Sequence, residues 1–254
     1  MRKQQKRVPQ DRKAAFDGNA VIDLNHFRDT DPRDLKPSKY KRVEIMPRNL
    51  RQEDYLDHLE NSRKDMVFAL GPAGTGKTLI ATLWAVKQLK SGAVERIVIT
   101  RPAVSVDEQH GFLPGDLMSK MAPWTRPVFD VFREYWNAKQ IEGMIAEGVI
   151  EVAPLAYMRG RTFKDSVVIA DEMQNATASQ MKMLLTRIGE GSKFVITGDL
   201  GQHDRGYEHN GLKDFMEKLI NNDKSSRLAV VKFEIAHVER HPAVAQVLGV
   251  YNED

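Results

Sequence analysis

The chain has 254 residues and a formal net charge of +3, and 41% of its residues are hydrophobic, which is enough for a sizeable core. It contains no cysteine, which excludes disulfides, a thiol nucleophile and a zinc–thiolate site. No stretch approaches the roughly 20 apolar residues of a membrane span, and the N-terminus lacks the apolar segment of a signal peptide. We therefore expect a soluble, cytoplasmic protein without membrane contact.

The positive charge is concentrated at the N-terminus. Residues 1–42 hold 12 Lys/Arg and 6 Asp/Glu, a balance of +6, whereas the remainder holds 26 basic and 29 acidic residues, a balance of −3. Because this stretch has few apolar residues and three prolines, we predict a flexible tail over 1–42 and a folded domain over 43–254. The tail is either a basic arm attracted to nucleic acid or a solvated terminus, and both interpretations stay open.

Strand-like and helix-like segments alternate after the tail. Short apolar runs predict five strands, at 66–70, 96–100, 167–170, 193–197 and 228–233. These runs are mostly continuous rather than alternating, which is typical of strands buried on both faces of a parallel sheet. Helical periodicity predicts helices at 52–62, 78–90 and 178–188. This order predicts an α/β fold with a doubly wound, mostly parallel sheet that binds ligands at the carboxyl ends of its strands.

Residues 101–160 interrupt this alternation. They combine aromatic side chains with lysines and arginines and include two of the three tryptophans of the chain. The spacing of Phe129, Phe132 and Trp136 by three and four residues favours an inserted helical segment with its own small core. The same mixture could stack on bases and hold the phosphates of a nucleic acid. The two interpretations are compatible.

A phosphate-loop pattern follows the first predicted strand and opens a predicted helix. It fits G-x-x-x-x-G-K-[ST] with the residues Gly71, Pro72, Ala73, Gly74, Thr75, Gly76, Lys77 and Thr78. Glycines let backbone N–H groups turn inward around a β-phosphate, the lysine reaches the β- and γ-phosphates, and the hydroxyl binds Mg²⁺. The sequence therefore predicts a site for a nucleoside triphosphate.

Two adjacent acids, Asp171 and Glu172, end the third predicted strand. In a phosphate-loop protein, an aspartate at that place lies near Mg²⁺, and a glutamate activates the attacking water. Glu172 thus favours hydrolysis and weighs against a small-molecule kinase. Gln202, after the next strand, is either a γ-phosphate sensor or part of a turn. Four arginines near these segments are either phosphate or partner contacts or surface ion pairs: Arg101, Arg159, Arg161 and Arg240.

Seven segments together resemble the PhoH-like family of ATPases: GPAGTGKT (71–78), TRPAV (100–104), GFLPGDL (111–117), RGRTF (159–163), DEMQNAT (171–177), TGDLGQ (197–202) and ERHPAV (239–244). Their order and spacing match the family over roughly residues 48–251. The resemblance implies a P-loop NTPase with one RecA-like domain, similar to the first such domain of superfamily 1 helicases. It also implies Mg²⁺-dependent ATP hydrolysis that is coupled to RNA or single-stranded DNA.

The resemblance implies roles for individual residues. Lys77 and Thr78 would bind phosphate and Mg²⁺, Asp171 would hold the Mg²⁺ shell, and Glu172 would activate water.

Three further roles follow from the same resemblance. Gln202 would sense the γ-phosphate, and Gln52 would contact adenine. Arg240 would be supplied to the site of a neighbouring subunit and would stabilise charge there. Related helicases bind ATP between two RecA-like domains, whereas this chain has room for one. We therefore expect a homo-oligomeric ring, a hexamer by family resemblance. The alternative is an ATP-dependent switch that acts on a protein partner without unwinding nucleic acid.

Overall fold

The computed structural model describes residues 42–102, 117–201, 210–221 and 226–239, and of residues 117–124 it describes the backbone alone. Within these ranges the strands are β1 (Met66–Leu70), β2 (Arg96–Arg101), β3 (Ile150–Pro154), β4 (Ser166–Ala170), β5 (Lys193–Gly198) and β6 (Leu228–Lys232). The helices are α1 (Leu50–Glu60), α2 (Lys77–Ser91), α3 (Leu117–Arg133), α4 (Ala138–Ala146), α5 (Ala178–Leu185) and α6 (Gly211–Ile220). Short 3₁₀ helices span Leu155–Met158, Met173–Asn175 and Ile235–His237.

The strands form one parallel sheet in the order β3-β2-β4-β5-β1-β6. Strand β5 alone separates β1, which leads into the phosphate loop, from β4, which leads into Asp171. Because neighbouring strands lie about 4.8 Å apart, the carboxyl ends of β1 and β4 are about 10 Å apart. The strand order therefore brings the loop and the acids to one place.

Helices cover both faces of the sheet, which confirms the predicted doubly wound α/β fold. The core on one face lies beneath α1, α2, α3 and α4 and contains Tyr55, Trp84 and Phe132. The core on the other face lies beneath α5 and α6 and contains Met181 and Leu212. Strand β4 is buried along its whole length, as its continuous apolar run predicts. Within the described ranges, no helix combines the length and apolar character that a membrane span requires.

The structure contains one strand that the sequence pattern did not predict. Strand β3 lies within residues 101–160, where we expected an inserted helical segment, and it pairs with β2 at the edge of the sheet. Its apolar run is interrupted by Glu151 and ends in Pro154. Both residues count against a central strand, but an edge strand tolerates them because one side has no neighbour.

The aromatic residues of α3 belong to the main core. Phe129 and Phe132 are buried in the same cluster as Trp84, and their rings meet edge to face with centroids 5.7 Å apart. The ring of Phe132 also lies 5.9 Å from that of Trp136. The expectation of a separate small core is therefore wrong for these residues, and the buried Phe129 and Phe132 are not available for base stacking.

Candidate nucleotide-binding site

The phosphate loop joins β1 to α2 in a conformation that depends on glycine. Gly71, Gly74 and Gly76 have φ angles of 140°, 84° and 83°, which residues other than glycine rarely adopt. A Cβ at Gly71 would lie 2.3 Å from the carbonyl oxygen of Phe233. Gly76 precedes α2 without a side-chain cap, so the first N–H groups of the helix can turn toward an anion.

Lys77, the first residue of α2, lies in the mouth of this loop. Its Nζ donates hydrogen bonds to the carbonyl oxygens of Gly71 and Pro72, each at 2.6 Å. Burial lowers the pKa of the Lys77 ammonium, and the carboxylates of Asp199, Glu172 and Asp171 oppose that change. The ammonium can contact a phosphate oxygen if it gives up its hydrogen bonds to the carbonyl oxygens of Gly71 and Pro72.

Thr78 and Asp171 meet at the centre of the site. The Thr78 hydroxyl donates a hydrogen bond of 2.9 Å to Oδ1 of Asp171, and the hydroxyl of Thr197 in β5 bonds to the same oxygen. The Asp171 backbone N–H donates to the Thr100 carbonyl at 2.9 Å, which fixes the turn after β4. Hydroxyl and carboxylate oxygens are the ligands that Mg²⁺ prefers. These residues therefore fit the predicted Mg²⁺ site.

Glu172 is held in an uncommon backbone conformation beside Asp171. Its φ of 54° lies in the left-handed region, which is unusual for a residue other than glycine. Its carboxylate accepts a hydrogen bond from Nε2 of Gln174. Such backbone strain persists only where surrounding contacts enforce it, and it is common at functional sites.

Gln174 connects Glu172 to the loop after β5. The Gln174 side chain is buried, and its Oε1 accepts a hydrogen bond of 3.1 Å from the Asp199 backbone N–H. A Cβ on Gly198 would lie 2.9 Å from that oxygen. No local pattern indicates a role for Gln174 or Thr197, because each also contacts a segment that is distant in the chain.

Gln52 packs against the outside of the phosphate loop. Its side chain is 4% exposed, and its Nε2 donates to the Thr75 carbonyl at 3.1 Å while its Oε1 accepts from the Arg48 N–H at 2.8 Å. The amide therefore supports the loop from α1. Contact of Gln52 with adenine remains a prediction.

A cavity of about 280 Å³ opens at this edge of the sheet. Its lining includes the predicted residues Gly71, Ala73, Gly74, Gly76, Lys77, Thr78, Asp171 and Glu172. Asp199 at the end of β5 also lines it. The structure thus brings the phosphate loop and both acids around one space, where a triphosphate would face an ammonium, a hydroxyl and two carboxylates.

Two predicted site residues, Gln202 and Arg240, lie outside the described residues. Glu239, which precedes Arg240 in the chain, donates its N–H to the Gly74 carbonyl at 3.0 Å. Its carboxylate accepts a hydrogen bond of 3.1 Å from Asn49. The segment that leads to Arg240 therefore reaches the phosphate loop of its own chain.

Arg161 has a structural role. Both ends of its guanidinium hydrogen-bond to Glu151 on β3, and the group lies 4.7 Å from the centre of the Phe163 ring. The hydrogen bond to Glu151 raises the pKa of Arg161. Arg161 thus joins the edge strand to the segment that follows it, which is the ion-pair alternative of the sequence analysis.

Comparison with known proteins gives consistent matches. The family described as PhoH-like protein matches residues 44–252. A PhoH-like protein of Bacillus subtilis (strain 168) is 43% identical over 220 residues, which cover 86% of this chain and 66% of that protein. A PhoH-like protein of Synechocystis sp. is 42% identical over 216 residues, or 84% of this chain and 64% of that protein.

Protein PhoH of Escherichia coli (strain K12) is 40% identical over 226 residues, which cover 87% of this chain and 60% of that protein. The chain thus spans less than two thirds of the length of these three relatives, between 60% and 66%. Among solved structures, the UvsW helicase from Bacteriophage T4 gives a TM-score of 0.43 at 15% identity, over 75% of this chain and 61% of that one.

Proposed function

The chain belongs to the PhoH-like family, and we propose that it is a Mg²⁺-dependent ATPase that couples hydrolysis to the binding or unwinding of RNA or DNA. The hydrogen bond between Thr78 and Asp171, with Lys77 and Glu172 around the same cavity, carries this proposal. Phosphoryl transfer to water requires the groups that these residues supply: a hydroxyl, a carboxylate, an ammonium and a second carboxylate.

Binding depends on the phosphate loop and Lys77. Backbone N–H groups of the loop and the start of α2 would surround the β-phosphate, and the Lys77 ammonium would contact the β- and γ-phosphates. Thr78 and Asp171 would hold Mg²⁺, which when bound neutralises charge on the phosphate oxygens. Gln52 supports the loop through Thr75 and would lie near the adenine.

Glu172 acts as the general base in this proposal. Its carboxylate takes a proton from water as the water oxygen attacks the γ-phosphorus, and the bond from that phosphorus to the β-phosphate oxygen breaks. ADP and phosphate are released, and Glu172 returns the proton to solvent. Gln174 keeps the Glu172 carboxylate in place through its hydrogen bond, and Gln202 would contact the γ-phosphate.

We further propose that the active form is a ring, with hexamers as the expected state. Arg240 would stabilise charge on the transferring phosphoryl group. Because Glu239 contacts Gly74 of its own chain, a contribution within one subunit has to be distinguished from one between subunits. Mixing Arg240→Ala protein with Lys77→Ala protein makes that distinction: restored hydrolysis supports a shared site, and no restoration supports a site within one chain.

The test of the proposed function is phosphate release from ATP with Mg²⁺, measured with and without saturating single-stranded RNA or DNA. We expect Mg²⁺-dependent release, abolished in Lys77→Ala, that rises severalfold when a strand is added. An unchanged rate with both strands would contradict the coupling to nucleic acid. In that case an ATP-dependent switch acting on a protein partner would be the better explanation.

A further inference from the structure

Two segments of the domain, which together form the cationic face, contain basic residues and no acidic residue. They are residues 155–163, which follow β3, and residues 178–187, which comprise α5 and its C-terminal turn. Their charged residues are Arg159, Arg161, Lys182 and Arg187, without any Asp or Glu. Residues 43–254 as a whole carry −3, so this cationic face departs from the charge of the rest of the domain.

The two segments of the cationic face are joined directly. The Phe163 N–H donates to the Arg187 carbonyl at 2.9 Å, and the Arg187 guanidinium contacts the Arg161 carbonyl at 3.5 Å. Leu155 and Met158 share one buried cluster with Met181 of α5. The face is therefore one continuous surface.

Most of its positive charge is available to a ligand. Arg161 is paired with Glu151, but Arg159 and Lys182 are exposed, and neither side chain pairs with any residue in the described part of the chain. Arg187 is half-buried and its guanidinium contacts backbone carbonyls and a hydroxyl rather than a carboxylate. Within the described ranges these three cations have no acidic partner, which suits a polyanion.

Tyr157 adds an aromatic group to the cationic face. Its side chain is 59% exposed, while its neighbours Leu155 and Met158 in the same 3₁₀ helix are buried. These two residues anchor the turn, so packing does not require a tyrosine at position 157. An exposed ring two residues from a free arginine is the combination that binds a base and its phosphate.

The face is also connected to the catalytic acids. Pro154, three residues before Tyr157, pairs with Arg101 at the end of β2, and β2 pairs in turn with β4, which leads into Asp171. On the other side, Thr177 caps the N-terminus of α5, and the 3₁₀ helix Met173–Asn175 lies between that cap and Glu172. The cationic face therefore includes α5, the helix that follows the proposed general base in the chain.

We propose that the cationic face binds a single strand of RNA or DNA, with Tyr157 stacking on a base and Arg159, Lys182 and Arg187 contacting phosphates. This inference rests on the proposed function, because it supplies the site for the strand that hydrolysis is coupled to. A single strand is favoured over an acidic protein segment because the exposed ring can stack on any unpaired base.

The experiment measures binding without nucleotide, so that it does not depend on hydrolysis. The full chain is titrated against labelled uridine and thymidine oligomers of about 20 nucleotides, long enough to exceed the usual site size. Dissociation constants are measured from about 50 to 200 mM salt, where electrostatic binding changes steeply. The variants are Tyr157→Ala, Tyr157→Phe and the double variant Arg159→Ala/Lys182→Ala. Arg63→Ala is the control, because Arg63 is also exposed but belongs to the α1–β1 loop, outside the two segments of the cationic face.

The double variant is expected to bind about tenfold more weakly at low salt. A plot of the logarithm of its association constant against the logarithm of the salt concentration should be less steep by about 1.4, or about 0.7 for each lost cation. Tyr157→Ala is expected to lose about tenfold and Tyr157→Phe less than about twofold, since phenylalanine retains the stacking ring. Arg63→Ala is expected to match the unaltered protein. Comparison of the two oligomers then shows which strand binds more tightly, the two differing in the 2′-hydroxyl and in the C5-methyl of the base.

Equal binding by the unaltered protein and by all variants would overturn the cationic face as the site and leave the proposed coupling intact. No binding of either oligomer by the unaltered protein would overturn both. Competition by polyglutamate as effective as that by oligonucleotide, with no effect of Tyr157→Ala, would identify an acidic protein partner instead and overturn the inference.

Discussion

The hydroxyl of Thr78 donates a hydrogen bond of 2.9 Å to the carboxylate of Asp171, although 93 residues separate them in the chain. The contact forms because β5 alone lies between the strands that precede the two residues. It joins the phosphate loop to the acidic strand end, and Thr197 in β5 supports it from the strand between.

Replacement of the Thr78 hydroxyl is expected to remove activity without unfolding the protein. Thr78→Val preserves shape but lacks the oxygen that would bind Mg²⁺, so we expect ATP hydrolysis to fall at least about 100-fold. Thr78→Ser keeps the hydroxyl and is expected to retain most activity. Phosphate release across a Mg²⁺ titration measures both, and equal rates for the two variants would remove Thr78 from the metal site.

Gln174 is expected to act as a positioning residue for Glu172. Gln174→Met keeps the length of the side chain but removes the donor to Glu172 and the acceptor for Asp199. We expect kcat to fall about tenfold while KM for ATP stays within about twofold, because only the orientation of the base changes. A purely structural role would instead lower the melting temperature and alter KM together with kcat.

Gly198 is expected to tolerate no side chain. A Cβ there would lie 2.5 Å from Cδ2 of Leu212 and 2.9 Å from Oε1 of Gln174. Gly198→Ala should therefore lower the free energy of unfolding in urea by about 1–3 kcal/mol. At Gly201 the nearest atom among the described residues to a Cβ is Oδ1 of Asp199 at 3.4 Å, so Gly201→Ala is the matched control, with a change within about 0.5 kcal/mol. Equal stability of the two variants would contradict the packing around Gly198.

Lys193 is expected to make stability depend on pH. Its Nζ donates to the carbonyl oxygens of Leu59 and Asn61 at the end of α1, and burial lowers its pKa from 10.5 to about 8, against the opposing charges of Glu60 and Asp65. Between these two values the unfolded chain binds more protons than the folded one. The free energy of unfolding should therefore rise as the pH increases from about 8 to about 10.

Lys193→Met removes this titration. Urea denaturation at several pH values should show the difference in stability between the unaltered protein and Lys193→Met growing in favour of the unaltered protein as pH rises through this window. A difference that stays constant, or that moves in favour of Lys193→Met as pH rises, would contradict a lowered pKa.

The sequence predicted the parts of the fold that local pattern determines. Thr177 and Gln180 have the residue types and spacing of a capping box, and the box forms because both partners lie within one turn of α5. Gly92 likewise ends α2 through a local preference, since glycine readily adopts the left-handed conformation found there. Neither feature needs a distant contact.

What could not be predicted depends on segments that meet only in the folded chain. The role of Gln174 requires Asp199, which follows a different strand, and the support that Gln52 gives to Thr75 requires α1 to pack on the phosphate loop. Strand β3 was missed because an edge strand needs only one paired side and so carries a weaker apolar signal.

The proposed mechanism requires Glu172 to activate water at the site formed by Lys77, Thr78 and Asp171. The most direct measurement is single-turnover ATP hydrolysis by Glu172→Gln, with ATP affinity determined on the same protein. The proposed mechanism predicts ATP binding within about twofold of the unaltered chain and a rate of hydrolysis lower by about 100- to 10,000-fold. Near-normal hydrolysis by this variant would contradict the assignment of Glu172 as the base.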